Sequence, residues 1–120
     1  VVSICLLANI YGCVAILAGA AGGVGTATWL SGKLSQQLEA PFERALKAVE
    51  SALKSLQLEI TEKTVKKDVA QVMSKYTNGK TIWVDIHRIS RYQSRVEVRV
   101  GALGDKEAAE LILARIERYL

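Results

Sequence analysis

The side chains that could do chemistry are few, and the first is a thiol. Cys13 stands behind Ile10, Tyr11 and Gly12, an order of apolar, variable and small residue that closes a lipoprotein signal. A thiol placed there is the nucleophile that accepts diacylglycerol, and the small residue before it gives a signal peptidase room to cut. Cys13 is therefore the candidate lipid-attachment residue, and membrane lipid the candidate partner. Tyr11 is bulkier than the variable position usually holds. His87 is the only histidine of the chain. A catalytic triad, a two-histidine metal site and a cysteine–histidine pair each need more than that. His87 and Asp85 fall on one face of a predicted strand, where they could make a local hydrogen-bonded pair but read better as surface polar residues. Glu59 with Glu62, and Glu107 with Glu110, read as solvated faces, since paired-carboxylate chemistry needs a cleft. The glycines of "GAAGGVG" lack the preceding strand and following lysine of a phosphate-binding loop. The expectation is a protein without catalytic residues, resident metal or cofactor, and not an enzyme.

The arginines admit a binding role. Arg88, Arg91, Arg95 and Arg99 fall around one predicted hairpin, with Trp83 and Tyr92 nearby. Arginine beside aromatic side chains is a nucleic-acid pattern in the right setting. Here Asp85 and Glu97 interleave with the arginines, which favours a solvated, ion-paired face or contact with anionic lipid head groups over nucleic acid. Trp83 alternates with Ile82 and Val84, so it points away from the predicted core, and Met73 shares its face. Trp83, Met73, His87, Arg95 and Arg99 form the candidate surface for a protein partner in the cell envelope.

Charge divides the chain. Of 120 residues, all 16 Lys and Arg and all 12 Asp and Glu lie at or beyond Lys33, with a net charge of +4. Residues 1–32 are uncharged and exceed the roughly 20 apolar residues that cross a bilayer. Three readings fit: a secretory signal peptide, a lipoprotein signal ending at Cys13, and a transmembrane helix whose Ala15, Gly19 and Gly23 give one small face for helix packing. The Gly/Ala run is a poor helix interior, since each Gly costs about 1 kcal/mol relative to Ala. The division expected is a signal-peptide remnant, or first part of a transmembrane helix, over 1–12. A Gly/Ala-rich tether follows over 13–32 and a folded domain over 33–120. The absence of cysteine from that domain suits an oxidising compartment.

The domain's own pattern is clear. Leu34 and Leu38, in line with Leu30, make a strand. Pro41 opens an amphipathic helix through Phe42, Ala45, Leu46, Val49, Leu53 and Leu56. "LEITEK", "VAQVMSKY", "KTIWVDIHRI" and "SRVEVRVG" alternate with a period of two. Asn78-Gly79 is a strong signal for a type I′ hairpin. Asp105 can cap a last helix striped by Ala108, Leu111, Ile112, Ile116 and Tyr119. The order β-α-β-β-β-β-α predicts an α+β two-layer sandwich: an antiparallel sheet of about five strands, two helices on one face, and the other face solvated.

"YGC" with its Gly/Ala tether, "APFERALKAVESALKSLQLEITEK" and "VEVRVGALGDKEAAELILARI" together resemble a family of short bacterial envelope lipoproteins classed as a domain of unknown function. The helix-then-strand segment is also similar, in shape only, to helix-grip domains of outer-membrane assembly lipoproteins. The resemblance implies a lipid-anchored domain in the envelope and supplies no activity. Val14 rather than Asp after the cysteine favours the outer membrane.

Overall fold

The computed structural model describes residues 27–120. The sheet has six strands: β1 (Thr28–Leu30), β2 (Lys33–Leu38), β3 (Ile60–Val65), β4 (Val69–Lys75), β5 (Thr81–Arg88) and β6 (Ser94–Val100). Helix α1 (Phe42–Ser55) lies between β2 and β3, and α2 (Lys106–Arg118) closes the chain. The strand order is β1-β2-β6-β5-β4-β3, with every neighbouring pair antiparallel. Strands β3 to β6 form the expected meander, and α1 carries the chain from β2 across to the opposite edge. The α+β class and antiparallel sheet are those the sequence predicts. The added strand is β1, at the end of the segment read as tether.

Alternation places the core. Val72, Val84 and Val98 lie side by side across β4, β5 and β6, flanked by the pairs Ile86–Val96 and Ile82–Val100. All seven side chains are fully buried, each worth roughly 1.5–3 kcal/mol relative to exposure. The helices cover them. On α1 the buried side chains are Phe42, Ala45, Ala48, Val49, Ala52 and Leu53. The stripe is thus turned toward the alanines, whose small side chains let the helix lie close to the sheet, and Leu46 and Leu56 fall to its margin. On α2 it runs through Ala108, Ala109, Ile112, Leu113 and Ile116, leaving Leu111 and Tyr119 exposed. At the contact of α2 with β2, burial pushes the Glu117 carboxyl above its usual range, partly offset by the nearby Gln36 amide.

Helix ends and turns follow local chemistry, with two departures from the sequence reading. The Asp105 carboxylate accepts from the Ala108 N–H at 3.1 Å, as expected of an N-cap. Helix α1 ends in a Schellman motif: the Leu58 and Gln57 N–H groups donate to the Leu53 and Lys54 carbonyls, with Gln57 in the left-handed region at φ 60°. Asn78-Gly79 does not form a type I′ turn. Gly79 alone has positive φ, its N–H donates to the Tyr76 carbonyl, and the Tyr76 N–H donates to the Lys80 carbonyl. This is the three-residue loop in which a left-handed glycine closes a type I turn. The two-residue hairpin with both central φ values positive is instead Ser31-Gly32, at 55° and 81°. That turn breaks strand parity. Trp29 pairs with Leu34 and packs on the core, whereas Leu30 pairs with Lys33 and is exposed. Leu30 is therefore not in line with Leu34.

The Ser31-Gly32 turn sits hard against the turn between β6 and α2. A Cβ on Gly104 would lie 2.5 Å from the Gly32 carbonyl oxygen and 2.6 Å from its Cα, while a Cβ on Gly79 would meet nothing within 4 Å. Both glycines have positive φ. Gly79→Ala is expected to lose only the left-handed backbone preference, about 1 kcal/mol. Gly104→Ala must also push the two backbone segments apart and is expected to lose about 3 kcal/mol or more. Urea unfolding midpoints of the two variants provide the comparison.

Candidate functional site

Two helices cover one face of the sheet, and the chemistry-bearing residues of β2, β4, β5 and β6 collect on the other. Strand register arranges them in rows. One row runs Met73, Trp83, Arg99; the next runs Gln71, Asp85, Glu97, Ser35; the third runs Val69, His87, Arg95, Gln37. Trp83, Met73, His87, Arg95 and Arg99, chosen from sequence as a partner surface, do share this face. All five are half-buried, because each side chain leans on its cross-strand neighbours.

The middle row sets Asp85 directly opposite Glu97, a like-charge pairing that is unfavourable in a sheet unless offset. Each carboxylate has its own partners. Gln71 Nε2 donates to Asp85 Oδ1 at 2.8 Å. Glu97, with a side chain only 16% exposed, has Lys33 Nζ at 3.5 Å, Arg95 Nε at 3.5 Å and His87 Nε2 at 3.3 Å. Burial alone would raise the Glu97 carboxyl, but the charges of Lys33, His87 and Arg95 and the histidine hydrogen bond outweigh it and hold it below its usual range. The ionised carboxylate has no proton to give, so His87 Nε2 must donate. The His87 partner is thus Glu97 on the next strand rather than Asp85 on its own.

Asp85, His87 and Glu97 could offer a cation two oxygens and one nitrogen, with ligand atoms within 4.8 Å of one another. In this arrangement two cationic side chains already flank Glu97 and the imidazole is turned onto it, so its carboxylate is engaged in an ion-pair network, in which the buried Arg95 Nε lies 3.5 Å away without a hydrogen bond. Beside it lie two shallow grooves. One of about 280 Å³ is lined by Lys33, Gln71, Trp83, Asp85, Glu97 and Arg99. The other, about 450 Å³, runs from Lys33, Arg95 and Glu97 to Leu30 at the β1 edge. Such a face offers an indole, a thioether and fixed donors and acceptors to a flat ligand or a protein surface.

The four arginines grouped by sequence separate. Arg99 Nη1 donates to the Ala102 carbonyl at 3.0 Å and Nη2 to the Ser31 carbonyl at 2.8 Å, joining the two glycine turns. Arg88 lies at the other end of the sheet, 4.7 Å above the Phe42 ring centroid and paired with Glu43 and Asp68. Its hydrogen bond holds the Glu43 carboxyl below the usual range. Arg91 is on the exposed β5–β6 loop. Lys33, Gln71 and Glu97 were missed as site residues. Alternation shows that they point away from the core, but only the register puts Glu97 beside Asp85, His87 and Lys33. Cys13, Ala15, Gly19 and Gly23 lie outside the described residues. Among the described residues no helix is long and apolar enough to cross a membrane.

The chain belongs to the family described as protein of unknown function (DUF3568), whose model matches residues 1–119. No curated protein matches it. The sequence resemblance to a family with a domain of unknown function therefore holds.

The network predicts an acid response. A carboxyl whose folded value is lowered contributes stability that is present above the unfolded value, near 4.5, and lost as pH falls through the folded value. Glu97→Gln removes that contribution and leaves Lys33 and Arg95 without their anion, an expected loss of about 1–2 kcal/mol at neutral pH. The difference from wild type should shrink below pH 4.5. Thermal melts across pH 3–7 give both numbers, with about 4–8 °C expected per kcal/mol for a domain of this size.

Proposed function

We propose that this DUF3568 protein is a non-enzymatic, membrane-anchored accessory of the bacterial envelope, whose open sheet face binds another envelope protein. The observation that carries the binding role is the sheet face that no described helix covers, where half-buried Trp83 and Met73 adjoin an ion-pair network. Aromatic and thioether side chains beside well-held polar groups are the usual anchors of a protein interface. The support for the anchor is the sequence before the domain: an uncharged apolar segment carrying Ile10, Tyr11, Gly12 and Cys13. In this reading Cys13 is acylated, residues 1–12 are removed, and the domain lies in the periplasm, held to the outer membrane.

A second reading has support in the same segment. Its length and its Ala15, Gly19 and Gly23 spacing also suit a retained transmembrane helix packed within a larger complex. N-terminal sequencing of the mature protein separates the two, giving a blocked Cys13 in the first case and a retained leader in the second.

Two experiments test the proposal. Metabolic labelling with a fatty acid should mark the wild type and leave Cys13→Ala unlabelled; an unlabelled wild type removes the lipid anchor. Trp83→Ala should lower recovery of the protein cross-linked to the wild type in native membranes, with an unchanged circular dichroism spectrum. Equal cross-linking removes the open face as the binding surface.

A further inference from the structure

We infer that the partner protein sets an acidic side chain into the groove between Lys33 and Arg95, an inference that deepens the binding role proposed above and rests on it. Arg95 Nε is buried and has no hydrogen-bond partner, the one such side-chain atom among the described residues. A buried donor left unpaired is costly, so its persistence needs a physical cause. The cause is Glu97. Its Oε1 has Lys33 Nζ at 3.5 Å and His87 Nε2 at 3.3 Å, and its Oε2 has Arg95 Nε at 3.5 Å. All three exceed the roughly 2.7–2.9 Å of a charge-assisted N–H···O bond. One carboxylate is stretched among three donors and closes on none of them. Among the described residues neither Lys33 nor Arg95 has another ion-pair partner, and Asp85 joins no ion pair.

The groove of about 450 Å³ opens at this spot. Lys33 and Arg95 remain 39% and 42% exposed there, against a single carboxylate, so the groove carries one positive charge in excess. A second carboxylate matches that excess and suits both an ammonium and a guanidinium fork. A doubly charged phosphate would overshoot it and face Glu97 at close range. Once the new carboxylate draws Lys33 and the outer edge of Arg95, Glu97 is free to close on Arg95 Nε.

Apolar side chains flank the position. Leu30 pairs with Lys33, the Leu34–Val98 pair brings Lys33 beside Arg99, and Arg99 pairs with Trp83. Exposed Leu30 and the Trp83 indole thus stand on either side of the cations, three strand spacings or roughly 14–15 Å apart. A protein segment with an acidic residue between apolar ones fits this row, which a bare anion does not. Other surface cations lack the setting. Lys66 shares its groove with Asp85, Lys80 is paired with Asp105, and exposed Lys75 and Lys106 line none of these grooves.

The test uses the full chain in native membranes, with a benzophenone side chain in place of Thr64. That residue is exposed at the β3 edge of the same face and outside the groove. Illumination captures the partner there. A carbodiimide, which joins an amine to a carboxylate in contact, should then couple Lys33 to an Asp or Glu of the captured protein, located by mass spectrometry of the linked peptides. Capture should fall at least about tenfold in Lys33→Gln/Arg95→Gln with an unchanged circular dichroism spectrum. It should stay at the wild-type level in Lys106→Gln. A captured protein with no link to Lys33 overturns the inference and leaves the protein-binding reading standing, as does undiminished capture by the folded double variant. The Lys33 link is read on the wild-type groove, so it decides the matter even where the double variant does not fold. An equal fall in Lys106→Gln overturns the inference in favour of diffuse charge attraction. Capture of lipid or glycan in place of protein, or no capture, fails the protein-binding reading and takes the inference with it.

Discussion

The side-by-side burial of Val72, Val84 and Val98 beneath α1 and α2 is the contact on which the rest of the molecule depends. Hydrophobic burial dominates the favourable side of folding, and here it is concentrated on one face of three adjacent strands. Among the described residues two helices close that face and none lies on the other, whose residues are drawn from charge, amide, indole and thioether. An antiparallel sheet can carry this asymmetry because its side chains alternate strictly between faces.

The same register that aligns the valines forces Asp85 against Glu97. The cost is met locally. Gln71 satisfies one carboxylate, while Lys33, His87 and Arg95 hold the other ionised. These groups come from four different strands, so the network can form only when β2, β4, β5 and β6 are all in register. It reports on the sheet as much as it decorates it, and it fixes the polar groups around Trp83 in position.

Two arginines act as ties at opposite ends of the sheet. Arg99 joins the Ser31-Gly32 hairpin to the turn before α2, and Arg88 joins the β3–β4 turn to β5 and to the start of α1. A guanidinium presents several donors in a planar fork, which suits it to carbonyls and carboxylates converging from separate segments. Net positive charge is therefore a poor guide to what this surface offers a partner, because half of the arginines near the β5–β6 hairpin are committed to the fold.

Much of the fold could be read from residue order, because its determinants are local. Alternation in "SRVEVRVG" and "KTIWVDIHRI" defined β6 and β5 and their buried valines and isoleucines. Asp105 marked the start of α2, and the spacing of Phe42, Ala45, Val49 and Leu53 defined α1. Trp83, Met73, His87, Arg95 and Arg99 were legible as one face because face membership is a matter of parity. What needed the tertiary structure was everything that depends on which strand lies beside which. The Ser31-Gly32 turn reversed the parity of Leu30 and made β1 a sixth strand. Asn78-Gly79 adopted a three-residue loop where composition suggested two. The choice of Glu97 over Asp85 as the partner of His87, and the separation of Arg88 and Arg99 from one apparent cluster, came from pairing partners distant in sequence. Side-chain periodicity is carried by the chain itself. Register and the meeting of turns are set by long-range contacts, and only the folded sheet decides them.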